Sequence, residues 1–284
     1  MDRIVNRKND YAFKRIFGHE DSKDVLARFL SIVLNVPIEA DELTFIQTEL
    51  SPEYMTDKAS VLDIQVRRSE FHEKMNVELQ QRDEGNVDRR ILYYWARNFS
   101  GELKSGQDYS KLPRQVSIVI ADFDAFNWKD STKFHGIFHV QEQEEGLLFS
   151  DALEIHVLEL PKLRKLPLKE NWNALECWLL YLDNKEGQIM EQIAAQEPMI
   201  RRAMTIEEAF MKNESERYLY ELREKGRRDF DNAMITAEKR GKAEGKAEGR
   251  AEIARAMLEE GMPLDVTEKI TGLSLEELKA LQKG

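Results

Sequence analysis

The chain has 284 residues, 42% of them hydrophobic and 33% charged, with a formal net charge of -11. It is long enough to bury a sizeable core, and an acidic balance of this size excludes nucleic-acid binding through bulk charge, so any such binding has to come from local basic patches. The single cysteine, Cys177, excludes an intramolecular disulfide framework, and the polar opening from Asp2 to Lys8, with no long apolar stretch after it, predicts a cytoplasmic protein with no membrane contact.

Asn9-Asp10 predicts the cap of a first helix, after which Phe13, Ile16 and Phe17 recur at helical spacing. A second helix from about Ser22 to Leu34 carries Val25, Leu26, Phe29, Leu30 and Val33 on one side, and Asn35-Val36-Pro37 ends it. Arg3, Arg7, Lys8, Lys14 and Arg15 crowd this opening, either as a solvated helix face or as a surface that contacts phosphates. Leu43 to Thr48 predicts a strand that Ser51-Pro52 breaks.

Two further strands follow, Val61 to Val66 and Asn76 to Gln80, in which acidic or polar residues alternate with Val, Leu and Ile. If the charged segment from Arg67 to Lys74 is a hairpin connection, Asp63, Glu78 and Gln80 converge on one face. Asn86 or Asp88 then caps a helix with an apolar stripe of Ile91, Tyr94, Trp95 and Phe99, and Arg89, Arg90, Tyr93 and Arg97 lie around its other side. Val116 to Ala121 is almost wholly apolar, the pattern of a central strand covered on both faces. A strand pair, a crossover helix and a buried strand predict an α/β core.

More strands are predicted at Gly136 to Val140, at Leu147 to Phe149 and through Leu153, Ile155 and Val157. Pro161 to Lys169 gathers Lys162, Arg164, Lys165 and Lys169 between prolines, and from Trp172 onward the pattern is helical. The organisation predicted is a core over 1–198, a charged helical stalk or linker over 199–256, and a module of short helices over 257–284. The stalk contains Gly241-Lys-Ala-Glu, Gly245-Lys-Ala-Glu and Gly249-Arg-Ala-Glu, which on a helix would stack like charges in columns. Such columns and glycines make a poor isolated helix, so the segment is either a flexible linker or is held by a partner, a second copy forming a homodimer being the natural one. At the end, Ser274 with Glu277 predicts a capping box in an outline like a helix-turn-helix; the acidic run Leu275-Glu276-Glu277-Leu278-Lys279 favours helix packing over DNA reading there.

Two carboxylates meeting on one strand face repel each other, which is costly unless a cation sits between them, so Asp63 and Glu78 predict a magnesium site, with manganese as the alternative ion. On pattern alone the same residues also fit the exposed side of an ordinary hairpin. Asp63 followed by Glu78-Leu79-Gln80 resembles the D…(D/E)-x-K core of PD-(D/E)XK nucleases, with Gln where Lys is usual. Asn9 to Gly18 and Glu159-Leu160-Pro161-Lys162-Leu163 resemble the Rpn group of that superfamily, the recombination-promoting nucleases.

The resemblance implies a restriction-endonuclease-like core, a mixed central sheet flanked by helices, with an all-helical C-terminal extension. It also implies Mg²⁺-dependent hydrolysis of DNA phosphodiesters in recombination, mobile elements or phage defence, with Asp63 and Glu78 as metal ligands. Gln80 would take the water-positioning place without its charge, and Lys58 is a possible substitute cation. Asp10, in the family's N-terminal motif, is open as a third metal ligand or as a helix cap. Arg7 and Lys14 with Lys162, Arg164, Lys165 and Lys169 form one candidate DNA footprint, and Arg89, Arg90 and Arg97 another.

The alternative is a catalytically weak or inactive nuclease fold acting as a DNA- or protein-binding regulatory module through its tail. No phosphate-cradling glycine loop supports a nucleotide cofactor, and His135 and His139 lie in a strand pattern too extended for a zinc pair. Cys177 beside Trp178 reads as an inert core thiol.

Overall fold

The computed structural model describes residues 5–46, 64–126 and 133–282. Helix α1 (Asp10–Phe17) opens on Asn9, whose side chain accepts from the amides of Tyr11 and Ala12. Asn9 is therefore the cap, and Asp10 is the first helical residue. Helix α2 (Lys23–Leu34) stops at Asn35, which takes the left-handed conformation at φ 54°. Strand β1 (Leu43–Phe45) is shorter than predicted, and residues 47–63 lie outside the described segments.

β2 (Ile64–Arg68) and β3 (Glu73–Gln80) form the predicted hairpin, turned by one 3-10 turn at Ser69–Phe71 and by His72 at φ 50°. α3 (Val87–Ser100) crosses over to β4 (Arg114–Ala121), and β5 (His135–Gln141) leads to β6 (Leu148–Glu159). The two strands predicted around Leu148 and Ile155 are one, because Ser150 and Asp151 continue the extended chain; irregular pairing after Phe138 on β5 lets the ladder continue.

The sheet order is β1-β2-β3-β4-β6-β5. β3, β4 and β6 run parallel, and the outer strands pair antiparallel. One face carries Ile64, Val66, Met75, Val77, Leu79, Val116, Ile118 and Ile120 into the main core. Helices α1, α2, α4 (Leu160–Arg164), α5 (Ala174–Leu182), α6 (Gln188–Gln196) and α7 (Met199–Lys212) also contribute to it. At its centre the fully buried Trp178 packs against Phe17 at 5.6 Å and Phe29 at 5.9 Å between ring centroids. The opposite face has a smaller core, in which Val87 and Ile91 of α3 cover Val119, Leu153, Ile155 and Val157.

α8 (Glu214–Glu259) is continuous through the glycine repeat, supported on its surface by pairs such as Arg240–Glu244 at 3.3 Å. α9 (Leu264–Thr271) ends at Gly272, φ 68°, and α10 (Leu275–Leu281) begins with the predicted Ser274–Glu277 capping box. The chain divides into two compact units, Met1–Arg223 and Glu224–Gly284. α7 lies in the first unit and buries Ile200, Ala203, Ile206 and Phe210 in its core.

A row of charges crosses the sheet at the starts of β3 and β4. Glu42 and Glu73 hold Arg68, Arg114 bridges Glu73 and Glu154, and Glu154 accepts from His139 at 2.7 Å and pairs with His156 at 2.8 Å. His135 meets His156 at 2.8 Å and is pushed down to about 4 by burial and by that neighbour, so it is neutral at pH 7. The bond to His156, with those to His139 and Arg114, holds the Glu154 carboxyl far below the usual range.

A carboxylate whose folded pKa is depressed adds stability above its unfolded pKa and loses it as pH falls through the folded value. With allowance for the solvent that reaches this group, Glu154→Gln should cost about 1–2 kcal/mol at pH 7. The difference should shrink below about pH 4, near the ordinary glutamate pKa. Urea unfolding of both proteins across pH 3 to 8, set by that same range, tests this; equal stability at pH 7 would refute it.

Candidate active site

All eight residues of β3 are buried, since the strand has neighbours on both edges and helices over both faces. Met75, Val77 and Leu79 enter the main core, so alternation turns Asn76, Glu78 and Gln80 toward α3. Glu78 is 3% exposed and Gln80 6%. A carboxylate buried to that degree needs donors. The Gln80 amide donates to its Oε1 at 2.9 Å, and Nη2 of Arg90, from the first turns of α3, donates to the same oxygen at 2.8 Å. Both bonds fall on Oε1, leaving Oε2 outside them.

Arg90 reaches Glu84 more loosely, at 3.5 Å, and its Nε is buried without a partner. On the same face the side-chain oxygen of Asn76, the Gln115 amide and the Trp95 indole N–H are also buried without partners. Asp63 and Lys58 lie outside the described residues. Among the described residues no group of three or more His, Cys, Asp or Glu is placed to hold a metal ion. The oxygen donors present, one carboxylate with an amide two residues on, are hard ligands of the type that suits Mg²⁺ or Mn²⁺.

The other predicted residues are dispersed. Asp10 faces Lys14 at 3.7 Å and Arg223 at 3.8 Å, and burial pushes its carboxyl above the usual range. Arg7 is turned inward, 6% exposed: its Nε donates to Glu207 at 2.7 Å and its Nη2 at 3.1 Å, and Tyr181 bonds the same carboxylate. Lys162 is buried against Glu159 and the Phe126 carbonyl. Arg164 is engaged by Asp122 and Asp183, which also attract Lys8, and this raises its pKa further. Lys165 faces Asp124 at 3.2 Å and Lys169 faces Glu176 at 2.7 Å. Arg89 and Arg97 stand exposed on α3, with exposed Tyr93 between them at helical spacing.

Sequence reasoning placed Arg90 among the DNA-contacting residues and missed its bond to Glu78. The available signal was its position beside Ile91, at the border of the apolar stripe rather than opposite it. The cluster of Lys8, Asp122, Arg164 and Asp183 was also missed, because its members are far apart in the chain and share no motif.

Removing one member of a buried pair leaves the other charge uncompensated. Arg7→Ala should therefore destabilise the fold by about 3–5 kcal/mol through the stranded Glu207. The salt dependence of DNA binding by the folded fraction should stay unchanged. Denaturant unfolding and a salt titration check both, and a native-like midpoint would show that Glu207 is not stranded.

Residues 7–237 match the family described as PD-(D/E)XK nuclease family transposase, and residues 247–283 match the C-terminal HTH domain of the Rpn/YhgA-like nuclease family. Comparison with curated proteins and with solved structures gave no match. Among the described residues no helix is long and apolar enough to cross a membrane. With the first match spanning most of its length, on a mixed six-stranded sheet flanked by helices, the chain belongs to the PD-(D/E)XK nuclease family of transposases, in its Rpn group.

Proposed function

We propose that this chain is a cytoplasmic, magnesium-dependent DNA endonuclease of the recombination-promoting type, with Mn²⁺ as a substitute ion. The observation that carries the reading is the buried Glu78, bonded to Gln80 and Arg90 at the end of a central strand. Asp63 is the residue before Ile64, and Ile64 pairs with Val77, the neighbour of Glu78. The family's pattern of an acid before this strand and Glu78 on the next supports Asp63 and Glu78 as the metal ligands. The ion would supply a water of lowered pKa and offset charge on the phosphorane-like transition state.

Gln80 orients the Glu78 carboxylate and can hydrogen-bond a water, with no charge of its own. Lys58 remains a candidate cation. Asp10 is a weaker metal ligand than the other two, since Lys14 and Arg223 already face it. The DNA footprint best supported is the outer side of α3, where Arg89, Tyr93 and Arg97 recur every fourth residue, two cations interleaved with a ring. The family match over the last helices supports a further DNA contact through the tail.

A second reading, a nuclease fold of weak activity that works as a binding module, is favoured by Gln80 standing where the family's lysine is usual. Incubation of the protein with plasmid DNA separates the two. The nuclease reading expects nicking with Mg²⁺ and none with EDTA. Asp63→Ala and Glu78→Gln should each abolish nicking while the fold and DNA binding persist, and undiminished nicking by either would remove the assignment.

Self-association through the tail belongs to the same proposal. Phe230, Met234, Ile235 and Ile253 of α8 are about half exposed. A Cβ added at Gly241, Gly245 or Gly249 would meet open space, so the chain's own packing gives no reason for glycine there. Close approach of a second helix would give one, with the Lys and Glu columns of two copies in register. Truncation before Arg240 should convert a dimer to a monomer in light scattering; an unchanged oligomeric state would leave the segment as a tether only.

A further inference from the structure

The positive charge usual beside this type of catalytic carboxylate is missing at position 80, and the structure brings another one to the same oxygen. We infer that Arg90 is a catalytic residue of the proposed nuclease: its guanidinium takes the part of the absent lysine, binding the scissile phosphate beside Glu78 and stabilising the charge that develops there. The inference rests on the nuclease reading and extends it to a residue on a different element.

Three observations carry it. First, the Arg90 Nη2 and the Gln80 amide converge on Oε1 of Glu78, at 2.8 and 2.9 Å, so the cation already sits where the reacting group would have to be. Second, the guanidinium has capacity left. It carries five N–H donors in a planar fork, of which Nη2 serves Glu78, Nη1 reaches Glu84 only at 3.5 Å, and Nε is buried with no partner. A buried unmet donor in a native fold calls for a partner, and a phosphate oxygen is the acceptor this geometry suits best. Third, the Arg90 side chain is 31% exposed while Glu78 is 4%, so the guanidinium is the member of the pair that a ligand arriving from solvent meets first.

Arg90 also lies next to the surface proposed for DNA. Arg89 is its neighbour on α3, and the exposed Tyr93 and Arg97 follow on the same helix. DNA held on that surface would bring its backbone to the end of β3. A permanently charged guanidinium is suited to this place, because it cannot lose its proton to the reacting groups. It therefore stabilises charge and does not serve as a base.

The alternative is that Arg90 only neutralises a buried carboxylate and orients it. Four proteins separate the roles: native, Arg90→Gln, Arg90→Lys, and Arg90→Gln combined with Gln80→Lys. Each is measured for Mn²⁺ affinity by calorimetry and for single-turnover cleavage of a plasmid at saturating protein. The inference expects Arg90→Gln to bind Mn²⁺ no more weakly than native while cleaving about 100-fold more slowly, the usual scale for losing one transition-state donor. Arg90→Lys should recover part of the rate. Gln80→Lys should rescue Arg90→Gln by about 10-fold or more, since it returns the charge from the family's usual position.

Cleavage by Arg90→Gln at the native rate overturns the inference. So does a loss of Mn²⁺ affinity that parallels the loss of rate, which marks an orienting role, or the absence of any rescue by Gln80→Lys. If native protein cleaves nothing and Glu78→Gln leaves Mn²⁺ binding unchanged, the nuclease reading itself fails and Arg90's part falls with it. If native protein cleaves and Glu78→Gln does not, while Arg90→Gln matches native, the nuclease reading stands and the Arg90 inference alone is wrong.

Discussion

The structure turns on β3 being buried along its whole length. A strand with pairing partners on both edges and helices over both faces satisfies its backbone completely, but every polar side chain it carries must find a partner inside the protein. Asn76, Glu78 and Gln80 are three such side chains on one face, and an apolar sequence would have made a more stable strand there. The acid is met by a cation from the helix that covers it. The crossover from β3 to β4 thus does two jobs: α3 covers the small core through Val87 and Ile91, and it delivers the counter-charge to Glu78.

The covering is incomplete in a way that bears on function. On the main-core face, aromatic and aliphatic side chains fill the space around Trp178 with many contacts. Under α3 the core is smaller, and the Asn76 side-chain oxygen, the Gln115 amide, the Trp95 indole N–H and the Arg90 Nε are left unmet. Each unmet group costs stability that the large core has to offset. One side of the sheet is therefore packed for stability and the other is left polar beside the site, a division that the parallel arrangement of β3, β4 and β6 permits because both of their faces are covered.

Much of this was legible in the chain. The alternation in Ile64 to Val66 and in Val77 to Leu79 fixed which residues face the core, because a period of two leaves little choice once one side is apolar. The caps at Asn9 and Ser274 and the stop at Asn35 were readable because they are local. The ion pairs were not. Arg7 looks in sequence like one of several exposed cations of a basic opening, and only the packing of α7 against the N-terminal segment brings Glu207 to it. Lys162 and Arg164 were likewise read as a basic patch; Glu159 lies only three residues before Lys162, but Asp122 and Asp183, which engage Arg164, come from the ends of β4 and α5, whose meeting no periodicity encodes. The joining of two predicted strands into β6 follows the same rule in reverse: Ser150 and Asp151 have turn-forming side chains, yet pairing with β5 keeps the backbone extended.

Charge ties the site to its surroundings. A protein with net charge -11 repels DNA at long range, so contact has to be made where cations outnumber acids locally. The basic residues near the N-terminus and after β6 do not meet that condition, because most of them are spent on neighbouring carboxylates that hold the fold together. Among the described residues, Arg89 and Arg97 are not spent in this way. They stand on the helix that also supplies Arg90, so the face proposed for DNA is continuous in sequence with the residue that touches Glu78. On the proposed reading, DNA held on α3 would lie beside the carboxylate at the end of β3.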